Sequence, residues 1–220
     1  MIKDILKKLI AICFLILFIN IGFIIFALEV YFNLISLIVL ISFTFILCFD
    51  IAVRPISKEK DQFKYPILSI VLFLLLPFIC IIPYIEFKFI ILRFITIWNS
   101  FSIYLIGISV LLVGSIILLY SRALLGKFAS SKIVIEQNHV LTTKGIYKYI
   151  RHPIYLGMLL IFFGYALSFK SIITPFSFLV LFFLIFNNRM NLEEKLLIEK
   201  FGEEYELYIN KTKRIIPYIY

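Results

Sequence analysis

Residues 9–28 read LIAICFLILFINIGFIIFAL, a run without one charged side chain. Coiled as a helix it extends about 30 Å, the depth of a bilayer's hydrocarbon layer. A second uncharged run, Val30–Phe49, comes directly after Glu29 and is closed by Asp50. Lipid offers no partner to backbone N–H and C=O groups, so apolar stretches of this length are stable there only as helices. Working outward, a third span is predicted at Tyr65–Pro83, with a kink at Pro77, and a fourth at Phe101–Ser121, closed by Arg122. Two shorter runs, Ile154–Phe169 and Ile172–Asn187, flank Lys170-Ser171 and predict a helical hairpin.

Composition agrees with this division. Of the 220 residues 63% are hydrophobic and 25 are Phe, whereas soluble domains lie near roughly 45–50% apolar. The net charge is +9, from 22 Lys and Arg against 13 Asp and Glu, and the basic residues fall between the apolar runs. That pattern belongs to cytoplasmic loops facing anionic lipid, not to a nucleic-acid surface. Drawn as six spans with both termini cytoplasmic, nineteen of the 22 basic residues share one side; Lys88, Arg93 and Lys170 take the other. The expected fold is therefore all-α, a polytopic membrane protein of about six transmembrane helices with N- and C-termini cytoplasmic. Lys3, Lys7 and Lys8 resemble the start of a signal peptide, but the apolar run after them is too long, so an uncleaved first span is expected.

The halves differ. Residues 1–121 are four spans with short connections. Residues 122–220 hold two basic, Tyr-rich cytoplasmic pieces, 122–153 and 188–220, on either side of the hairpin 154–187, and chemistry is expected there. Cys13, Cys48 and Cys80 lie inside apolar runs and only two histidines occur, so no metal site is expected.

Two constellations stand at the edges of the hairpin. In the first, Arg151-His152-Pro153 meets the fifth span. Proline suits the first turn of a helix, whose free N–H groups favour anions, and Gly157 and Gly164 open one face to a close neighbour. Taken alone, Arg151 and His152 also suit an ordinary basic boundary, with Tyr147, Tyr149 and Tyr155 as an interfacial belt. In the second, Arg189 and Glu193 are four apart, a spacing that supports an ion pair, and Glu194 is next in the chain. Leu192, Leu196, Leu197, Phe201, Tyr205 and Tyr208 then recur at helical spacing, predicting an amphipathic helix that lies on the membrane or caps the protein, interrupted at Gly202. Both constellations should meet at one face, making a pocket for a polar cofactor bearing both charge signs.

The segment Gly145-Ile-Tyr147-Lys-Tyr-Ile-Arg151-His152-Pro153-Ile-Tyr155-Leu-Gly157 resembles the G-x-Y-x-x-x-R-H-P-x-Y-x-G motif of the isoprenylcysteine carboxyl methyltransferase and phospholipid methyltransferase superfamily. Arg189, Glu193, Glu194, Leu197, Phe201, Gly202, Tyr205 and Tyr208, then Arg214 and Pro217, resemble its second motif. Leu125-Gly126-Lys127-Phe128, His139 and Leu141 are similar to its lead-in. Ile146 stands where a proline is common, and the N-terminal half carries no matching motif.

The resemblance implies an integral membrane enzyme using S-adenosylmethionine, with a lipophilic small-molecule or lipid substrate entering from the bilayer and the C-terminal helix capping the cofactor pocket. It implies cofactor contacts at His139, Leu141, Gly145, Tyr147, Arg151, His152, Pro153, Tyr155, Gly157 and Glu193. Arg189, Glu193 and Glu194 are the implied catalytic residues: Arg189 to orient an anionic acceptor, a glutamate to deprotonate or position an amine. The acceptor stays open between carboxylate, amine and thiol. A membrane reductase of the sterol or polyprenol type shares the H-P-x-Y-x-G run but binds NADPH, and Glu193-Glu194 stand where added positive charge would help a phosphate. A small transporter or scaffold would need polar groups inside the spans, where only Asn20 and Asn33 occur within or near the first two. Richness in Ile, Lys, Phe and Asn suits a prokaryote with AT-rich coding, which would place the chain in the plasma membrane.

Overall fold

A computed structural model describes residues 2–56, 80–91, 101–130 and 140–216. Most of the span expected at Tyr65–Pro83, including Pro77, lies outside the described residues, as does Arg93.

The described elements are helical. Helix α1 (Ile2–Phe26) begins earlier than the apolar run, through Lys3, Lys7 and Lys8. Lys8 Nζ donates to the Ala52 carbonyl (2.7 Å), tying the start of α1 to the end of α2. Helix α2 (Leu34–Val53) is shifted four residues from the run Val30–Phe49, because Leu28–Phe32 forms a 3-10 turn and Asn33 caps the helix after it. The Asn33 side chain accepts the Ser36 N–H at 3.1 Å, satisfying one of the donors that a helix start leaves free. A helical segment, 80–91, ends in the π-helical turn Phe87–Ile91. Helices α3 (Phe101–Leu125), α4 (Pro153–Ser168), α5 (Ile173–Phe201) and α6 (Glu203–Lys211) complete the order.

Among the described residues, α1, α2, α3 and α5 are long and apolar enough to cross a bilayer, and α4 is a shorter apolar helix. Their outer faces carry large aliphatic side chains in the open, such as Ile25, Phe45 and Ile116, each about two-thirds exposed. Such surfaces suit hydrocarbon and would drive association in water. The chain is an all-α, multi-pass membrane protein.

The helix over the apolar run 172–187 does not end at Asn187. Helix α5 runs unbroken for 29 residues, because no glycine or proline interrupts 176–201, and stops only at Gly202. Gly202 takes φ +55°, a left-handed conformation that a side chain resists, and the chain turns there into α6.

Helices α3 and α4 pack antiparallel through glycines spaced seven apart, about two turns, so that each set lies on one face. A Cβ added at Gly107 would fall 2.4 Å from the Ser168 nitrogen, and one at Gly164 would fall 2.4 Å from the Leu111 nitrogen. At Gly114 and Gly157 each added carbon would approach the other residue's carbonyl to 2.9 Å. Backbones touch here, as in lipid where small residues drive helix association. Beside this contact Tyr165 packs tilted against Phe43 and edge-to-face with Phe169 in the core, and its hydroxyl donates to the Cys80 carbonyl (2.9 Å).

At the hairpin end, Glu86 is buried yet fully employed. It accepts the N–H groups of Ile172 (2.8 Å), Ile173 (2.7 Å) and Thr174 (2.8 Å), together with the hydroxyls of Ser171 and Thr174. A carboxylate from a distant segment thus caps α5, whose own N-cap, Ile172, has no suitable side chain.

Candidate active site

The site lies at the other end of the bundle, where α4 begins and α5 leaves its apolar stretch. Pro153 is the first residue of α4, and Ile150, just before it, forms an isolated parallel bridge with Lys213 of the C-terminal segment. Lys213 N–H donates to the Tyr149 carbonyl (3.0 Å), Arg151 N–H to Lys213 (2.8 Å) and His152 N–H to Arg214 (2.9 Å). The tail therefore fixes where Arg151 and His152 point.

Glu194 lies beneath them, 8% exposed. Its carboxylate accepts from Arg151 Nε (2.9 Å) and Arg214 Nε (3.2 Å), is also paired with Arg214 Nη2, and meets His152 Nε2 at 3.0 Å. Flanked by two guanidiniums, Glu194 is a carboxylate and only accepts, so Nε2 is the protonated nitrogen of His152. Arg151 also donates from Nη1 to the carbonyls of Thr212 (2.6 Å) and Ile209 (3.2 Å). Glu194 thus joins α4, α5 and the tail.

Glu193, one residue earlier, faces elsewhere, with its side chain 39% exposed. The Tyr155 hydroxyl donates to Glu193 Oε2 (3.0 Å) and accepts from Arg189 Nε (2.9 Å). The Arg189–Glu193 spacing that supports a direct pair instead holds a tyrosine hydroxyl between the two groups. His152 Nδ1 stands 4.0 Å from Glu193, so acid, base and phenol share one wall. Tyr208 donates to the Tyr147 carbonyl at 2.6 Å, and burial pushes the phenols of both residues well above the usual tyrosine range.

These groups border a cavity of about 250 Å³. Of the residues expected from sequence, Leu141, Tyr147, Arg151, His152, Tyr155, Arg189 and Glu193 line it. Glu194 does not; it supports the wall from behind. Pro153 starts α4 without lining the cavity, Gly157 faces the Leu118 backbone of α3, and Gly145 turns at φ +58° against Tyr120 and Leu124. His139 and Pro217 lie outside the described residues.

The opposite wall was not anticipated. Arg54 and Arg122 both line the cavity and both pair with Asp50, which is 5% exposed. Arg122 engages Asp50 through Nε and through Nη2 (3.2 Å), and donates from Nη1 to the Ala129 carbonyl (2.8 Å). In sequence Asp50 and Arg122 read as charges that close spans, and Arg54 as a basic residue of the loop after the second. The Asp50–Arg54 spacing of four was the available signal.

The phospholipid methyltransferase family model matches residues 102–204. A protein-S-isoprenylcysteine O-methyltransferase of Saccharomyces cerevisiae is 40% identical over 88 residues, 38% of this chain and 35% of that protein. A probable protein-S-isoprenylcysteine O-methyltransferase of Oryza sativa is 29% identical over 116 residues, covering 52% and 61%. A methanethiol S-methyltransferase of Crocosphaera subtropica is 29% identical over 136 residues, covering 57% and 52%. The matches thus span between about a third and three-fifths of these relatives' lengths. The fold is shared with a solved eukaryotic intramembrane Ras methyltransferase, isoprenylcysteine carboxyl methyltransferase, at a TM-score of 0.65 and 18% identity, over 94% of this chain and 74% of that one. The architecture and the cavity define a class, the helical membrane proteins with a polar site at one end of the bundle. Within it, the chain is similar to the isoprenylcysteine carboxyl methyltransferase and phospholipid methyltransferase superfamily.

Proposed function

We propose that the chain is an integral membrane methyltransferase that moves the methyl group of S-adenosylmethionine to a lipophilic acceptor drawn from the bilayer. The observation that carries this reading is the meeting of both motif segments on one cavity, with His152, Tyr155, Arg189 and Glu193 on a shared wall. Similarity to the superfamily supports the cofactor, and the donor set suits it. A carboxylate at Glu193, a guanidinium at Arg189 and aromatic faces at Tyr147, Tyr155 and Phe186 match a molecule that carries both charge signs and a flat base. At about 250 Å³ the cavity is slightly below the usual range of ligand clefts, which starts at roughly 300 Å³.

When bound, the cofactor supplies a methyl group on a positively charged sulfur, open to in-line displacement. The chain's work is alignment and exclusion of water. Leu141, Tyr147, Arg151, His152, Tyr155 and Glu193 form the cofactor's share of the wall. Arg189 orients the acceptor's head, and Glu193 is the group placed to take a proton from an amine acceptor. Glu194, whose oxygens are occupied by Arg151, His152 and Arg214, is reassigned from catalysis to positioning. Pro153, Gly145 and Gly157 are reassigned to the framework, since none of them lines the cavity. His139 keeps its proposed cofactor role from the motif alone.

The reading includes six spans with both termini cytoplasmic, residues 122–220 as the catalytic part, the site facing the cytoplasm and, for a prokaryotic source, the plasma membrane. Clustering of Lys8, Arg54, Arg122 and Arg151 toward the α2 C-terminal, α3 C-terminal and α4 N-terminal ends supports that orientation.

Calorimetric titration of the protein in nanodiscs with S-adenosylhomocysteine, using NADPH as comparison, tests the proposal. Binding of the former that is lost in His152→Ala and Glu193→Ala is the expected result. Binding of NADPH alone would overturn the reading in favour of a reductase.

A further inference from the structure

The cavity wall includes Arg54, Arg122, Arg151 and Arg189. Arg151 donates from Nε to Glu194 and from Nη1 to the carbonyls of Ile209 and Thr212. Arg122 engages Asp50 through Nε and Nη2 and the Ala129 carbonyl through Nη1. Arg189 Nε donates to the Tyr155 hydroxyl. Arg54 differs. Its Nη2 pairs with Asp50, but its Nε is buried and meets no acceptor among the described residues. Buried donors are nearly always satisfied, and one left unmet is a cost that an incoming acceptor removes.

The position is braced. Asp50 lies one turn earlier on α2, is 5% exposed and also holds Arg122 of α3. Arg54 is the first residue past α2, and its backbone N–H still donates to the Asp50 carbonyl (3.1 Å). Backbone and guanidinium are thus both tied to Asp50, so the side chain has little rotamer freedom left to lose when a ligand binds.

Resting on the methyltransferase reading, we propose that Arg54, held by Asp50, receives the α-carboxylate of the cofactor's methionine part. Of the cofactor's ionised groups, the sulfonium and the α-ammonium are cations, and the carboxylate alone is an anion. A guanidinium repels the first two and suits the third, whose planar pair of oxygens accepts its N–H groups. Asp50 and Arg54 precede residues 102–204, the stretch that the family model matches. The cofactor site therefore extends beyond the two motifs into the end of α2, and Arg54 is the residue that distinguishes the intact amino-acid end of the cofactor from one without its carboxylate.

Equilibrium binding in nanodiscs tests this with S-adenosylhomocysteine and its decarboxylated analogue, which keeps the adenosine, the sulfur and the amine. Wild type should bind the intact ligand about tenfold or more tightly, the worth of one charge-assisted hydrogen bond. Arg54→Gln should weaken S-adenosylhomocysteine about tenfold and leave the analogue within about twofold of wild type. Arg54→Lys keeps a cation for Asp50 but has no Nε–H, so it too should lose most of the preference. A purely structural role for Arg54 would weaken both ligands alike, and that result overturns the inference. Equal binding of the two ligands by wild type overturns it without any variant. An unchanged preference in Arg54→Lys overturns it as well, and this variant carries the test if Arg54→Gln fails to fold. Should folded wild type bind neither ligand, it is the methyltransferase reading beneath the inference that falls.

Discussion

Replacing Glu194 by alanine removes the carboxylate that gathers Arg151, His152 and Arg214 from two segments far apart in the chain. The side chain is 10% exposed, as is Arg151, and Arg214 is 17% exposed, so solvent does little to replace what is lost. Removing one partner of a buried pair typically costs about 3–5 kcal/mol, because the remaining charges stay buried and unbalanced. For a chain of this size each kcal/mol lowers the melting temperature by roughly 2–4 °C, which gives a drop of roughly 6–20 °C. Glu194→Gln keeps the volume and an acceptor oxygen and should fall less. Glu193→Gln, at a half-open position, should change stability by about 1 kcal/mol or less while methyl transfer collapses. Thermal unfolding in detergent, monitored by far-ultraviolet circular dichroism, separates the cases. A Glu194→Ala protein melting within about 2 °C of wild type, or a Glu193→Gln protein as unstable as Glu194→Ala, would refute the division of labour between the two glutamates.

The same geometry sets other outcomes. Gly164→Ala places a methyl 2.4 Å from the Leu111 nitrogen, where the neighbour is backbone and cannot swing away; a loss of about 1–3 kcal/mol should appear as a lower melting temperature. Tyr155→Phe keeps the ring against Phe182 and Phe186 but deletes the hydroxyl between Arg189 and Glu193. Methyl transfer should fall about 10- to 100-fold with little change in melting, and a rate within twofold of wild type would remove the hydroxyl from the mechanism. Burial raises the phenols of Tyr147, Tyr205 and Tyr208, so the folded chain keeps protons that the unfolded chain releases. Their contribution is fully present below the ordinary tyrosine pKa of about 10 and is lost as pH rises above it, so melting temperature should decline there, less steeply in Tyr205→Phe.

Much of the architecture was legible one segment at a time. The uncharged run 9–28 is long enough to cross lipid whatever surrounds it, Pro153 within a helix suits only its first turn, and Gly202 marks the break between α5 and α6. The two motifs named the cavity wall, since Tyr147, His152, Tyr155, Arg189 and Glu193 all reach it. Boundaries were less legible. A hydropathy run reports the greasy part of a helix, not its end, so α5 passes Asn187 without pause and α1 starts among lysines.

What the sequence by itself determined is membrane residence, helical class and the motif residues that line the cavity, because apolar length and local turn chemistry act within a few residues. Tertiary structure alone decided which groups meet. Asp50 and Arg122 are 72 positions apart, Glu86 caps a helix 86 positions later, and Gly157 faces α3 instead of the cavity. The two glutamates show the reason most plainly. Neighbours on a helix point about 100° apart. Only the placement of α4 and the returning tail could assign Glu193 to the cavity and bury Glu194 among arginines.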